Sequence, residues 1–260
     1  MIGAARYYWN RCIEEKEKGN LHLARTIAYQ LALSPLNLLW RLKNERLYSR
    51  YLTDRATADR FRTTYLPERF QQESGFVLDF GCGRGRHSAM LSLCGFNVVG
   101  MDPVRHSYWR KIPSTQFLQG GDGELGLIKN ESFDLCISFL VLTYIQDDKR
   151  TVSELARVLR RGGWLVLQLV NQDNLRTSIR HRHLGPQMIH QYTTEEATSM
   201  LEKAGFRVER IWTEKFYSPF LTTFFNYLLE TVLPHQVLDY ASRHTPPRHR
   251  GLLNITAQKV

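Results

Sequence analysis

Residues 77–102 read VLDFGCGRGRHSAMLSLCGFNVVGMD, and no other stretch narrows the choice of fold as far. An apolar strand ends at Asp79 and runs into alternating glycines, Gly81, Gly83 and Gly85. A helical stretch opens at Arg86, and a second apolar strand, NVVGM, ends at Asp102-Pro103. Glycines at such a turn supply φ > 0 and let a ligand approach the backbone closely. A strand opening into a helix N-terminus on a parallel sheet is the usual ligand crevice. Asp102 follows Gly83 by 19 residues and closes the next strand. There a carboxylate can accept two hydrogen bonds from ribose hydroxyls, so the spacing indicates a nucleoside ligand.

The same alternation continues downstream. Further strands are expected at 115–118, 133–139 (FDLCISF), 164–170 (WLVLQLV), 206–212 and 252–258. Helices are expected at 86–93, briefly after Pro103, at 147–160, at 194–203 and at 220–232. The helix at 147–160 is followed by Arg161-Gly162-Gly163, basic residues and then a glycine cap. Strands alternating with helices imply a parallel sheet with crossover helices. Residues 1–73 read as helical, with Ser34-Pro35 as an N-cap followed by proline at the first helical position. The expected organisation is a helical extension or lid at 1–73 and a nucleoside-binding domain at 74–260.

Two nucleoside ligands compete. The dinucleotide fingerprint needs G-x-G-x-x-G, and Arg86 stands where its third glycine belongs. Asp79, just before the glycines, would repel a pyrophosphate. It would attract the amino group of a methionine-like ligand. That favours S-adenosylmethionine over NAD.

At this point the chain resembles the class I S-adenosylmethionine-dependent methyltransferases over about residues 75–215 and the last strand. The resemblance implies a Rossmann-like α/β fold: a mostly parallel seven-stranded sheet with helices on both faces. It implies that the loop Asp79-Phe80-Gly81-Cys82-Gly83-Arg84-Gly85 wraps the methionine half. Asp102, beside Pro103, would hold the ribose. Gly121-Asp122-Gly123 would meet the adenine amino group. Phe139 and Leu140 would border the cofactor past the fourth strand. Residues 192–206 (YTTEEATSMLEKAGF) resemble a segment of small-molecule methyltransferases, including ubiquinone-pathway O-methyltransferases. The acceptor motif of DNA amino methyltransferases is absent, and Phe139-Leu140-Val141-Leu142 stands in its place.

Methyl transfer from a sulfonium is an in-line displacement, in which the protein's main task is alignment. A hydroxyl acceptor must also lose a proton, for which histidine suits neutral pH. His181, His183 and His190 follow the fifth strand, and His190 is the preferred base, with a plain loop histidine as the alternative. Tyr144 is a second candidate to touch acceptor or cofactor. No acid trio for a metal ion is visible.

The chain has 260 residues and a formal net charge of +10, spread along its length. That favours anionic partners by long-range attraction without naming one. Four cysteines without a CxxC pair fit a reducing compartment, and no apolar signal core opens the chain, so a cytoplasmic protein is expected. The strongly apolar run at 216–229 is short of the about 20 residues a membrane span needs, which leaves surface contact open. On a helical wheel, Phe220, Phe224, Phe225 and Leu228 share one wide apolar face, either packed on the sheet or lining an apolar acceptor pocket. The expected activity is methyl transfer from S-adenosylmethionine to a small molecule, at oxygen or nitrogen. An RNA methyltransferase ranks second, and a catalytically inactive methyltransferase-like subunit is the rival of another class.

Overall fold

The computed structural model describes residues 54–174, 189–216 and 250–260, together with Leu233, Val237, Tyr240, Ala241 and 244–246. The expected helices of residues 1–53 and 220–232, and His181 and His183, lie outside the described residues. The described elements run in chain order: α1 (Arg55–Tyr65), a 3-10 turn (Glu68–Gln71), β1 (Phe76–Phe80), α2 (Arg86–Leu93) and β2 (Asn97–Asp102). A 3-10 turn (Ser107–Lys111), β3 (Thr115–Gln119), a 3-10 turn (Glu124–Leu127) and β4 (Phe133–Phe139) follow. Then come a 3-10 turn (Leu142–Tyr144), α3 (Asp148–Val158), β5 (Leu159–Val170), α4 (Thr194–Lys203), β6 (Phe206–Phe216) and β7 (Arg250–Lys259).

The strands form one seven-stranded sheet in the order β3-β2-β1-β4-β5-β7-β6. Pairings from β3 to β5 are parallel, and β7 is antiparallel to both its neighbours. The order reverses between β1 and β4, which leaves a crevice at the carboxyl ends of the strands.

Both faces are covered, so the central strands are apolar on both sides. Val77, Leu135, Ile137 and Val166 pack with Ala58 and Phe61 of α1 and with Met90 and Leu91 of α2. Leu78, Phe80, Cys136, Leu165 and Leu167 pack with Val152 and Leu155 of α3 and Ala197 and Leu201 of α4. Residues 55–71, read from sequence as part of the helical extension, thus share a core with the sheet: Phe61 and Phe70 are both buried in it. Helix starts follow local chemistry. Asp54 accepts from Ala56 N–H, Asp147 accepts from Arg150 N–H, and Thr193 with Glu196 forms a reciprocal capping box.

β6 and β7 run longer than the sequence reading placed them, the short helix after Pro103 is a 3-10 turn, and the end of α3 differs in kind. α3 ends at Val158, and Arg161-Gly162-Gly163 is part of β5 rather than a helix cap. The last helical carbonyls are taken from outside the helix: Glu131 N–H donates to Arg157 O and Ser132 N–H to Val158 O. Leu159 then pairs with Phe133 while Trp164 pairs with Leu135, so residues 160–163 bulge out between them.

Candidate functional site

The glycine loop leaves β1 at the carboxyl edge of the sheet. Gly81, Gly83 and Gly85 have φ of +74°, +53° and +84°, conformations that side chains rarely adopt. Gly81 and Cys82 donate their N–H groups to the Met101 carbonyl at 2.8 and 3.0 Å, which binds the loop to the end of β2. Gly83 N–H donates to Asp102 Oδ2 at 2.8 Å, and Val104 N–H donates to Asp102 Oδ1 at 2.9 Å. The loop and the acid singled out from sequence are therefore in direct contact, and the carboxylate is oriented by two backbone donors.

Asp79 is 1% exposed, and the Ser88 hydroxyl donates to its Oδ2 at 2.6 Å. Burial raises its carboxyl to about 6, and the Ser88 hydrogen bonds offset part of that rise. Ser88 was not anticipated; its place one turn into α2, facing β1, emerges only once the helix packs. Burial also pushes the Cys82 thiol up, with the charges of Asp79 and Asp102 adding to the effect.

At the other end of the crevice, Gly120 N–H donates to the Asp102 carbonyl at 3.0 Å, so the turn after β3 lies against the end of β2. Gly121 N–H donates to Glu124 Oε2 at 2.7 Å, and Asp122 and Gly123 are exposed. Glu124 is a shaping residue that sequence reading missed. Pro103 is exposed, and its carbonyl accepts from the Gln119 amide at 3.3 Å.

Past β4, Phe139 is half-buried among the rings of Phe61, Tyr65 and His87, the last meeting it edge-on at 4.6 Å. Burial, and secondly the charge of Arg86, push the His87 imidazole well below its ordinary pKa. Leu140 has φ of +61°, and its N–H donates to the Gln168 carbonyl of β5 at 2.8 Å. Such a conformation costs a branched side chain about 1–2 kcal/mol. It turns Val141 onto the glycine loop: a Cβ at Gly81 would lie 2.1 Å from Val141 Cγ2.

The backbone of His190 is tied to the turn that carries Tyr144. Tyr144 is 54% exposed in the turn Leu142–Tyr144. Ile189 and His190 both donate their N–H groups to the Thr143 carbonyl, at 2.8 and 3.1 Å, and His190 Nε2 lies 3.3 Å from the Gln146 carbonyl. Gln172, Ile189, His190 and Gln191 line an open cavity of about 340 Å³. Tyr192 secures this arrangement from inside. Its hydroxyl donates to buried Asp148 at 2.8 Å and lies 3.3 Å from the Leu142 carbonyl, while its backbone bridges to Asn171. Burial and the Asp148 hydrogen bond raise the phenol pKa. Among the described residues, no hydrogen bond joins His190 or Tyr144 to the glycine loop. Their link to it runs through residues 140–144. Among the described residues there is also no cluster of potential metal ligands and no helix long and apolar enough to cross a membrane.

The methyltransferase-domain family matches residues 48–211. A protein of Mycolicibacterium smegmatis described as a probable S-adenosylmethionine-dependent methyltransferase is 32% identical over 137 residues, 51% of this chain and 52% of its own length. The malonyl-[acyl-carrier protein] O-methyltransferase of Yersinia pestis is 32% identical over 108 residues, 40% of each chain. The chain thus spans about half the length, or less, of these curated relatives. A solved S-adenosylmethionine-dependent methyltransferase structure from Thermotoga maritima has the same fold, with a TM-score of 0.58 and 20% identity over 84% of this chain and 95% of that one.

Proposed function

The chain belongs to the class I S-adenosylmethionine-dependent methyltransferases, and from that premise we propose that it transfers the sulfonium methyl group to a small-molecule acceptor at oxygen or nitrogen. One observation carries the proposal: the buried Asp79, the left-handed glycine loop and Asp102 lie side by side at the carboxyl ends of β1 and β2, joined by the Gly83–Asp102 hydrogen bond.

The residues present suit this cofactor. A Cβ at Gly83 would meet no atom within 4 Å, and the same holds at Gly123, so there is open space at both ends of the crevice. Asp79 supplies negative charge for the methionine ammonium, and a cation there would keep its carboxyl ionised. Asp102, oriented by Gly83 and Val104, accepts from the ribose hydroxyls. The exposed Asp122 is available to the adenine amino group. When bound, the cofactor supplies an electrophilic methyl for displacement. Phe139, Leu140 and Val141 exclude water from the space beside it.

On the acceptor side we assign His190 the role of proton acceptor and Tyr144 that of a contact with the incoming molecule. Their shared attachment to the Thr143 turn supports this reading. Acceptor choice is assigned to the flanks, residues 1–53 and 220–232, whose sequences carry many large apolar side chains and no cofactor motif. A relative that O-methylates malonyl-[acyl-carrier protein] supports oxygen as one accepting atom. Cys82, Cys94 and Cys136 are buried and, among the described residues, form no disulfide, which supports a cytoplasmic setting.

The deciding experiment is calorimetry with S-adenosylhomocysteine and with NAD, followed by transfer of labelled methyl to candidate acceptors. S-adenosylhomocysteine should bind, and Asp102→Ala should lose about 1.5–3 kcal/mol of that affinity, the scale of hydrogen bonds to a charged group. Tight NAD binding with no S-adenosylhomocysteine binding would end the proposal.

A further inference from the structure

The segment that follows β2 folds back over the glycine loop and holds both sides of one residue. Gly83 N–H donates to Asp102 Oδ2 at 2.8 Å. The Gly83 carbonyl accepts from the indole N–H of Trp109, also at 2.8 Å. A second donor near that carbonyl is the Cys82 thiol at 3.8 Å, a far weaker partner. The backbone donor and acceptor of the middle loop glycine are thus held by residues 102 and 109 together.

Trp109 does not float over the loop. Its ring lies on Phe117 of β3, with centroids 4.8 Å apart and planes 6° apart. Phe117 in turn occupies space that two glycines leave open. A Cβ on Gly100 would come within 2.7 Å of the Phe117 ring, and one on Gly85 within 2.8 Å. The sequence of contacts is therefore Gly100 and Gly85, then Phe117, then Trp109, then Gly83. Two absent side chains admit a ring, the ring supports an indole, and the indole fixes a peptide group.

A glycine at φ of +53° has many other conformations open to it. Fixing it before the ligand arrives lowers the ordering cost of binding. We propose that Trp109 is a positioning residue for the cofactor: its indole N–H holds the Gly83 peptide so that the glycine loop is already in its binding form. The proposal rests on the cofactor reading given above and adds a residue outside the loop and its acids. Trp109 itself need not touch the ligand.

The test uses the full-length chain and S-adenosylhomocysteine as the probe. Trp109→Phe keeps a ring that can lie on Phe117 and removes the N–H. It should raise the dissociation constant about tenfold, the scale of one hydrogen bond, while the melting temperature of the free protein shifts by no more than about 2 °C. Trp109→His, whose ring N–H can still donate, should recover part of the loss. In the wild-type protein the Trp109 indole proton, identified in NMR by its disappearance in Trp109→Phe, should exchange slowly with solvent, and more slowly still with the probe bound. Wild-type affinity in Trp109→Phe would overturn the proposal, as would an indole proton that exchanges like a free one. If Trp109→Phe does not fold, Phe117→Leu tests the same support: it should weaken probe binding, and unchanged affinity there overturns the proposal. A wild-type chain that does not bind the probe at all would overturn the cofactor reading instead, and this proposal with it.

Discussion

Val141 stands where a side chain on Gly81 would have to go: the Cγ2 methyl is 2.1 Å from the position of the missing Cβ. The contact joins the glycine loop after β1 to the turn after β4, which leads on to the candidate acceptor side. Gly81→Ala therefore meets two obstacles, a φ of +74° and the valine methyls. It should destabilise the protein by about 2–4 kcal/mol in urea unfolding, combining backbone strain with overpacking. Adding Val141→Ala should recover the steric part and leave the backbone part. Equal stability of the single and double variants would show that Val141 moves freely.

Asp79 sets a pH dependence whose sign can be worked out. Its folded pKa, about 6, lies above the ordinary 3.8. Between those values the native state binds more protons than the unfolded state, so stability falls as pH rises. The contribution is fully present below about pH 4 and lost as pH passes about 6. Ligand binding should run the other way, because the ammonium is attracted to the ionised form. S-adenosylhomocysteine affinity should rise from pH 5 to pH 7 in calorimetry, and Asp79→Asn should bind weakly with no such rise. A flat wild-type profile would show that Asp79 does not face the amino group.

His190→Ala should lower turnover by roughly a hundredfold while cofactor affinity stays near normal, as removal of a general base does. Turnover measured across pH 6–8 checks this. Full activity over that range would make His190 a structural histidine held by Thr143 and Gln146.

Tyr192→Phe removes the hydroxyl that pairs with Asp148 and leaves a buried carboxylate without its donor. The expected cost is about 1–3 kcal/mol of stability in chemical unfolding. Amide exchange should rise first at Ile189 and His190, whose N–H groups bond to Thr143. Asp148→Asn, which keeps an accepting oxygen, should cost less than Asp148→Leu.

The strands were legible because both faces of the sheet are covered, which makes β1, β2 and β4 short unbroken apolar runs. Helix 194–203 carries its periodicity within itself, and the Thr193/Glu196 box marks its start. Helix 86–93 buries one consecutive run, Ser88 to Leu91, and is legible only from its place between the glycine loop and the next strand. The end of α3 was not legible, since the groups that satisfy its last carbonyls come from Glu131 and Ser132, far back in the chain. The same holds within the site. Asp79, the glycines and Asp102 announce themselves by spacing. Ser88, Trp109, Glu124 and Val141 act through contacts that exist only after strands and turns have come together, and a run such as Phe139-Leu140-Val141-Leu142 gives no sign that its third member will press on Gly81.

The placement of β7 has a consequence for synthesis on the ribosome. Among the described residues β6 pairs with β7 alone, and β7 is also the partner that joins it to β5. From Phe216 to Arg250 the chain must lengthen while β6 still lacks β7, an interval of a few seconds at about 5–20 residues per second. Throughout it the growing chain exposes two unpaired edges, one on β5 and one on β6, that nearby nascent chains could recruit. A premature stop just before Arg250 would make that interval permanent. Such a product would retain β1, β2 and the whole glycine loop, yet leave the sheet split beyond β5.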